Sequence, residues 1–233
     1  MFRKRNENYH NRMTKNLITI YEPKSPISEQ YRTLRTNLEF TSLGSKLQTL
    51  LITSTSMEEG KSTTASNLAV VYSQLGKRVL IIDCDMRRPT IHQIFHIDSR
   101  IGLSNVLAKR STAESAIQPT QLDNLYVMVA GVVPPNPSEL LAAPAFREML
   151  DHLKDDFDII LLDAPPIIQV ADSRIIAQEV DGAVLVLSCE SADRDEVVKA
   201  RDQLLMTGAK ILGIVLNRRE SRQGKDAYYY TYQ

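Results

Sequence analysis

At 233 residues the chain suits one α/β domain with a sizeable core. Its 28 basic side chains balance 28 acidic ones, so no long-range positive field favours nucleic acid, and no nucleic-acid partner is expected. Two widely spaced cysteines, Cys84 and Cys189, give no disulfide framework. No apolar run approaches the roughly 18 residues needed to cross a bilayer, and the N-terminus lacks a signal peptide's apolar core. The expectation is a soluble, intracellular protein.

Residues 1–24 are polar, irregular and basic at their start, with Arg3, Lys4, Arg5, Arg12 and Lys15 against Glu7. Such a stretch reads as a flexible solvated arm or as a segment weakly drawn to an anionic membrane surface. Pro26 and Ser28 then open a helix over 26–40, with Tyr31, Leu34, Leu38 and Phe40 as its apolar positions. Glu29, Arg32 and Arg35 recur every three residues on its other side. They read either as exposed ion pairs worth a few tenths of a kcal/mol or as a polar face meeting another subunit.

The apolar run Leu50, Leu51, Ile52 leads through a polar loop to Gly60-Lys61-Ser62, and a helical pattern follows over 63–75. Strand, loop and helix N-terminus in that order make an anion site, because loop N–H groups and the helix dipole favour phosphate. In this reading Lys61 reaches the β- and γ-phosphates and the Ser62 hydroxyl ligates Mg²⁺. The full GxxxxGK[ST] pattern fails at its first position, where Thr55 replaces glycine. Leu68, Val71 and Leu75 face inward in this expectation, and Gly76 closes the helix.

A second buried strand, 79–82, ends in Asp83-Cys84-Asp85, and a third, 159–162, ends in Asp163. Carboxylates at the carboxyl ends of parallel strands lie where such sheets place ligands, and two so close call for a bound cation and a proton-accepting role. Asp163, downstream of the GKS loop, has the Walker B arrangement that holds the Mg²⁺ shell. Between these strands lie short helical patterns, a strand at 125–129, and a proline-rich loop in which Ser138 caps a helix from Glu139. Asp172 reads as a helix cap and Asp181 as a turn residue. Buried strands at 183–187 and 211–216 flank a helix near 195–206 and complete a single doubly wound, mostly parallel sheet. Asn217 and Arg218 fall on its ligand-binding rim.

From Arg219 the chain is polar and carries no apolar period, which predicts a disordered tail. Four of the nine tyrosines, Tyr228, Tyr229, Tyr230 and Tyr232, fall in its last six positions. That clustering reads as an adhesive peptide end or as a substrate.

Together these motifs closely resemble the bacterial tyrosine kinases of capsule and exopolysaccharide operons, whose P-loop fold is shared with MinD/ParA-like ATPases. The helix EQYRTLRTNLEF carries their ExxRxxR motif at Glu29, Arg32 and Arg35; EGKST, LIIDCDMRRP, PPNPSELL and IILLDAPP follow in family order. The resemblance implies three parts: an arm over 1–24, a kinase domain over 25–218 and a tyrosine-rich tail over 219–233. It implies autophosphorylation of Tyr228, Tyr229, Tyr230 and Tyr232 with ATP and Mg²⁺. Glu59, Gly60, Lys61, Ser62 and Thr63 would hold the nucleotide, with Asn217 and Arg218 near the adenine. Ser62, Asp85 and Asp163 would organise Mg²⁺, and Asp83 would accept the tyrosine proton. It further implies a ring built through the 26–40 helix, with tails delivered in trans. A transmembrane activator would bind through its cytosolic end, holding the chain at the inner face of the membrane. Met57 and Glu58 stand where the family has Pro-Gly, and Glu58 and Glu59 should weaken nucleotide binding unless turned away. The alternatives are a MinD/ParA-like ATPase and a nucleotide-binding scaffold. Against the first, the lysine that such ATPases carry four residues before the loop's last glycine is here Ser56.

Overall fold

The apolar runs become the inner strands of one sheet in a computed structural model that describes residues 17–41 and 46–219. The elements are α1 (Ile18–Tyr21), α2 (Pro26–Thr41), β1 (Thr49–Ser54), α3 (Lys61–Ser73), β2 (Val79–Asp83), α4 (Ile91–Phe95), α5 (Leu103–Leu107), α6 (Ala113–Ala116), β3 (Ile117–Pro119) and β4 (Leu125–Met128). There follow α7 (Pro137–Ala142), α8 (Pro144–Asp156), β5 (Ile159–Asp163), α9 (Asp172–Ala177), β6 (Gly182–Ser188), α10 (Arg194–Met206) and β7 (Ile211–Asn217).

The strands run in the order β3-β4-β2-β5-β1-β6-β7, all parallel except β3 against β4. β1, β2 and β5 are buried on both faces, which is why they read as unbroken apolar runs rather than alternating ones. Leu51, Leu80, Leu162 and Ile160 face α8 through Phe146 and Leu150; Leu50, Ile52, Ile81 and Leu161 face α3 through Leu68 and Val71. Each such side chain contributes about 1.5–3 kcal/mol on burial, which offsets the roughly 1–2 kcal/mol of backbone ordering per residue. The register sets Asp83 beside Asp163 across β2 and β5, and Ile52 beside Asp163 across β1. The acidic strand ends and the phosphate loop therefore meet by construction.

Several expectations are corrected. The arm over 1–24 is not irregular throughout, because Leu17 and Thr19 are buried and α1 forms. Thr19 donates to Asn67 Oδ1 from its N–H (3.1 Å) and its hydroxyl (2.8 Å), anchoring α1 on α3. Residues 1–16 lie outside the described residues. Phe40 and Leu75, expected inside, are 64% and 53% exposed. β7 is an edge strand, half exposed, because only β6 covers it. Asp181 does more than turn the chain: its Oδ2 accepts from the N–H groups of Gln48 and Thr49 (2.8 Å each), fastening the start of β1. Among the described residues, no helix is long and apolar enough to cross a membrane.

Candidate active site

β1 delivers the chain to the loop at 55–60, and α3 begins at Lys61. Glu58 (φ 63°) and Gly60 (φ 91°) are left-handed, and such turns of hand within a short loop create anion-binding concavities. Gly60 is needed twice over. Its φ disfavours side chains, and a Cβ there would stand 2.0 Å from Asn217 Nδ2. That amide donates to the Glu59 carbonyl at 3.0 Å and so braces the loop from β7.

Glu59 corrects its assignment as a nucleotide contact. Its side chain is buried and turned into the loop itself, where Oε2 accepts from Thr55 N, Thr55 Oγ1 and Ser56 N at 2.8 Å each. Its charge is thus spent on N–H groups at the start of the loop. Glu58, by contrast, lies on the wall of a cavity of about 430 Å³ at the carboxyl ends of the strands. Gly60, Lys61, Ser62, Thr63, Asp85 and Arg218 also line it, as do Met57, Arg88 and Thr90. Asn217 acts from behind the loop rather than on the wall.

At the floor, Lys61 Nζ lies 3.0 Å from Asp85 Oδ2, 3.6 Å from Asp163 Oδ1 and 3.3 Å from Ser62 Oγ. Burial alone would drive the ammonium to lose its proton. Asp163 and Asp85 outweigh that and raise its pKa above the usual lysine value. Asp163 is fully buried, and neither of its carboxylate oxygens has a hydrogen-bond partner among the described residues. Burial raises its pKa, with the Lys61 ammonium opposing. A buried carboxylate that meets only the longer Lys61 ion pair, beside a second carboxylate and a hydroxyl, fits Mg²⁺, which takes one or two carboxylates and completes its shell with water and phosphate. Ser62, Asp85 and Asp163 are the residues that would hold it.

Asp83 is placed differently from expectation. It is fully buried and absent from the cavity wall, its Oδ2 accepting from Thr90 N and Ile91 N (3.0 Å each) and its Oδ1 from Asp85 N (3.2 Å). Burial, then the Asp163 charge, pushes its pKa up to about 8. It lies behind the cavity wall, and what its geometry does is fold the loop that presents Asp85. Of the helix residues, Arg32 pairs with Glu29 at 2.5 Å, an exposed contact, while Arg35 is turned inward, its Nη1 donating to the Val71 carbonyl at 2.9 Å. The three therefore do not share one outward face. Tyr228, Tyr229, Tyr230 and Tyr232 lie outside the described residues.

Sequence reasoning also missed a junction beside the site. Ser138 does not cap its helix, since α7 begins at Pro137 with Asn136 before it. Asp172 is no cap either; it is buried and takes up Arg87 and Ser138.

Comparison with known proteins agrees with this geometry. A family model described as an AAA domain matches residues 58–195. The tyrosine-protein kinase YwqD of Bacillus subtilis (strain 168) is 42% identical over 226 residues, covering 97% of this chain and 95% of that one. The crystal structure of the chimerical protein CapA2B2 superposes with a TM-score of 0.86 at 41% identity, over 89% of this chain and 91% of that one. The septum site-determining protein MinD from Pyrococcus horikoshii OT3, complexed with Mg-ADP, gives 0.64 at 28% identity, over 75% and 72%. Identity of this order along nearly the whole length, on a site of this design, means that the chain belongs to the bacterial tyrosine-protein kinase family.

Proposed function

We propose that this chain uses ATP and Mg²⁺ to phosphorylate tyrosine, its own Tyr228, Tyr229, Tyr230 and Tyr232 first, and thereby regulates capsular or exopolysaccharide synthesis and export. The observation that carries the reading is the Lys61 ammonium held between Asp85 and Asp163 at the mouth of the phosphate loop. Lys61 is poised to leave the carboxylates for the phosphates, and the α3 N-terminus and loop N–H groups orient the polyphosphate beside it. Mg²⁺, when bound by Ser62, Asp85 and Asp163, supplies neutralisation of the β- and γ-phosphate charge. A phenol with a pKa near 10 is a weak nucleophile at neutral pH. Phosphoryl transfer through a loose transition state needs little push from it, however, so positioning and charge dominate. The family resemblance would make Asp83 the acceptor of the tyrosine proton, a role that needs its buried carboxyl to be ionised and reached by the phenol.

Delivery in trans within a ring built through α2, a transmembrane activator acting through its cytosolic end, and residence at the inner face of the membrane belong to the same proposal. Support for all three comes from the family, and for the ring alone from the Glu29–Arg32 pair on α2. Incubation with labelled ATP and Mg²⁺, with and without an activator peptide, tests the reading. Label in the C-terminal peptide is expected, and Lys61→Met should abolish it. Release of free phosphate alone would indicate a MinD-like ATPase instead, and no turnover a scaffold.

A further inference from the structure

We infer that Asp172 is a positioning residue for the Asp85 loop, acting through Arg87, with Ser138 as the third member of the junction. Both oxygens of the Asp172 carboxylate are engaged: Arg87 Nε donates to Oδ2 at 2.9 Å, and Arg87 Nη2 donates to Oδ1 at 3.2 Å. Ser138 Oγ also donates to Oδ1, and it accepts from Arg87 Nη2 at 3.1 Å. The carboxylate is fully buried, whereas the Arg87 side chain is 41% exposed. The planar guanidinium fork meets the carboxylate side-on, a geometry that lysine cannot reproduce.

The three residues come from three different connections. Arg87 follows β2, Ser138 sits in α7 after β4, and Asp172 opens α9 after β5. All three connections leave the carboxyl ends of neighbouring strands, so one buried charge ties together the rim on that side of the cavity. The consequence falls on Asp85. Asp85 Oδ1 accepts from Arg88 N at 3.0 Å, while its Oδ2 meets Lys61. Met86, between Asp85 and Arg87, is buried, so the loop is pinned at Met86 and at Arg87. Freeing Arg87 releases the peptide whose N–H aims Asp85. The proline-rich PPNPSELL segment thereby gains a purpose: it presents Ser138 to the junction.

The inference deepens the proposed function, since Asp85 is a proposed Mg²⁺ ligand, yet part of its test needs no turnover. Thermal unfolding without nucleotide would be measured for Arg87→Met, Asp172→Asn and the double variant. Arg87→Met leaves a buried carboxylate unpaired, so the double variant should melt higher than Arg87→Met alone. Additive losses would overturn the junction. Calorimetric titration of ADP at stepped Mg²⁺ concentrations then separates positioning from mere stability. Arg87→Lys and Asp172→Asn should raise the Mg²⁺ concentration needed for half-maximal enhancement by up to about tenfold, the loss of the Arg88 N–H as an outer partner of Asp85 setting the upper end. ADP affinity without Mg²⁺ should stay within about twofold of the parent protein, as no nucleotide contact is touched. Lower stability with an unchanged Mg²⁺ requirement would reduce the junction to scaffolding and overturn the inference. Because neither readout uses phosphotransfer, a protein that proved not to be a kinase would leave this result standing or falling separately.

Discussion

Two adjacent glutamates in the phosphate loop looked equivalent in the sequence, and the fold sends them opposite ways. Glu59 is inside, holding the N–H groups of Thr55 and Ser56, while Glu58 faces the cavity in a left-handed conformation. Only Glu58 can therefore repel a polyphosphate. Glu58→Gln should tighten ATP binding on the order of three- to tenfold, the lower part of that range applying at physiological salt, where an exposed charge is screened. Glu58→Gly removes the same charge and in addition relieves about 1 kcal/mol of left-handed strain, so it should also raise the melting temperature. Titration calorimetry at low and high salt distinguishes the two contributions. Equal affinity of parent and Glu58→Gln would show that the charge is not felt by the ligand. Glu59→Gln should behave otherwise, disturbing the loop rather than improving it.

Among the elements, α3 joins the site to the N-terminal helices, and Tyr72 marks that contact. Tyr72 is buried on the α3 side of the sheet, and its hydroxyl has no hydrogen-bond partner among the described residues. An unsatisfied buried hydroxyl costs about 1–3 kcal/mol. Tyr72→Phe should accordingly be neutral or stabilising by up to about 1 kcal/mol. Burial, and after it the Glu39 charge, raises the phenol's pKa above its ordinary value near 10, against the pull of Arg35. The folded state then holds this proton more tightly than the unfolded chain. Stability from Tyr72 is present below pH 10 and lost as pH rises beyond it. Thermal unfolding between pH 8 and 11 should therefore fall less steeply for Tyr72→Phe than for the parent. Parallel curves would mean that the phenol does not titrate differently on folding.

The same scale explains what could be read from the chain before its structure. β1, β2 and β5 were legible because strands buried on both faces must be apolar throughout, and the acidic residues ending β2 and β5 had no other reason to follow such runs. The three-residue β3 was not legible, being too short for a period and ending in Pro119. α1 was hidden because its anchor is a polar contact from Thr19 to Asn67, 48 positions away. Asp172 and Asp181 were misread for the same reason: their partners are Arg87, Ser138 and the start of β1, none of them near in sequence. Local pattern identifies what must be buried or turned. It does not say which distant donor a buried carboxylate will find.

At the scale of the whole molecule, the question is how a chain built around one site would respond to phosphorylation of its tail. β7 ends at the rim, so the tail begins beside the cavity that would modify it. Tyr228 to Tyr232 follow Arg219 by nine to thirteen residues, a reach of about 30–45 Å when extended, enough for the chain's own site or a neighbour's. Each phosphotyrosine adds about −1.5 to −2 charge, hence roughly −6 to −8 for a fully modified tail. Repeated around a ring, that charge would crowd at the rims, where the Debye length of about 8 Å at physiological salt leaves close neighbours poorly screened. The unmodified chain should therefore assemble and the modified one separate. Sedimentation velocity should show a ring for the variant with phenylalanine at all four tyrosines, and a monomer for the parent after exhaustive reaction with ATP and Mg²⁺. Raising salt to about 1 M should partly restore assembly of the phosphorylated form, because the opposing force is electrostatic. Equal masses for the two forms would rule out the switch. Dissociation that ignored salt would instead locate its cause in a shape change at α2.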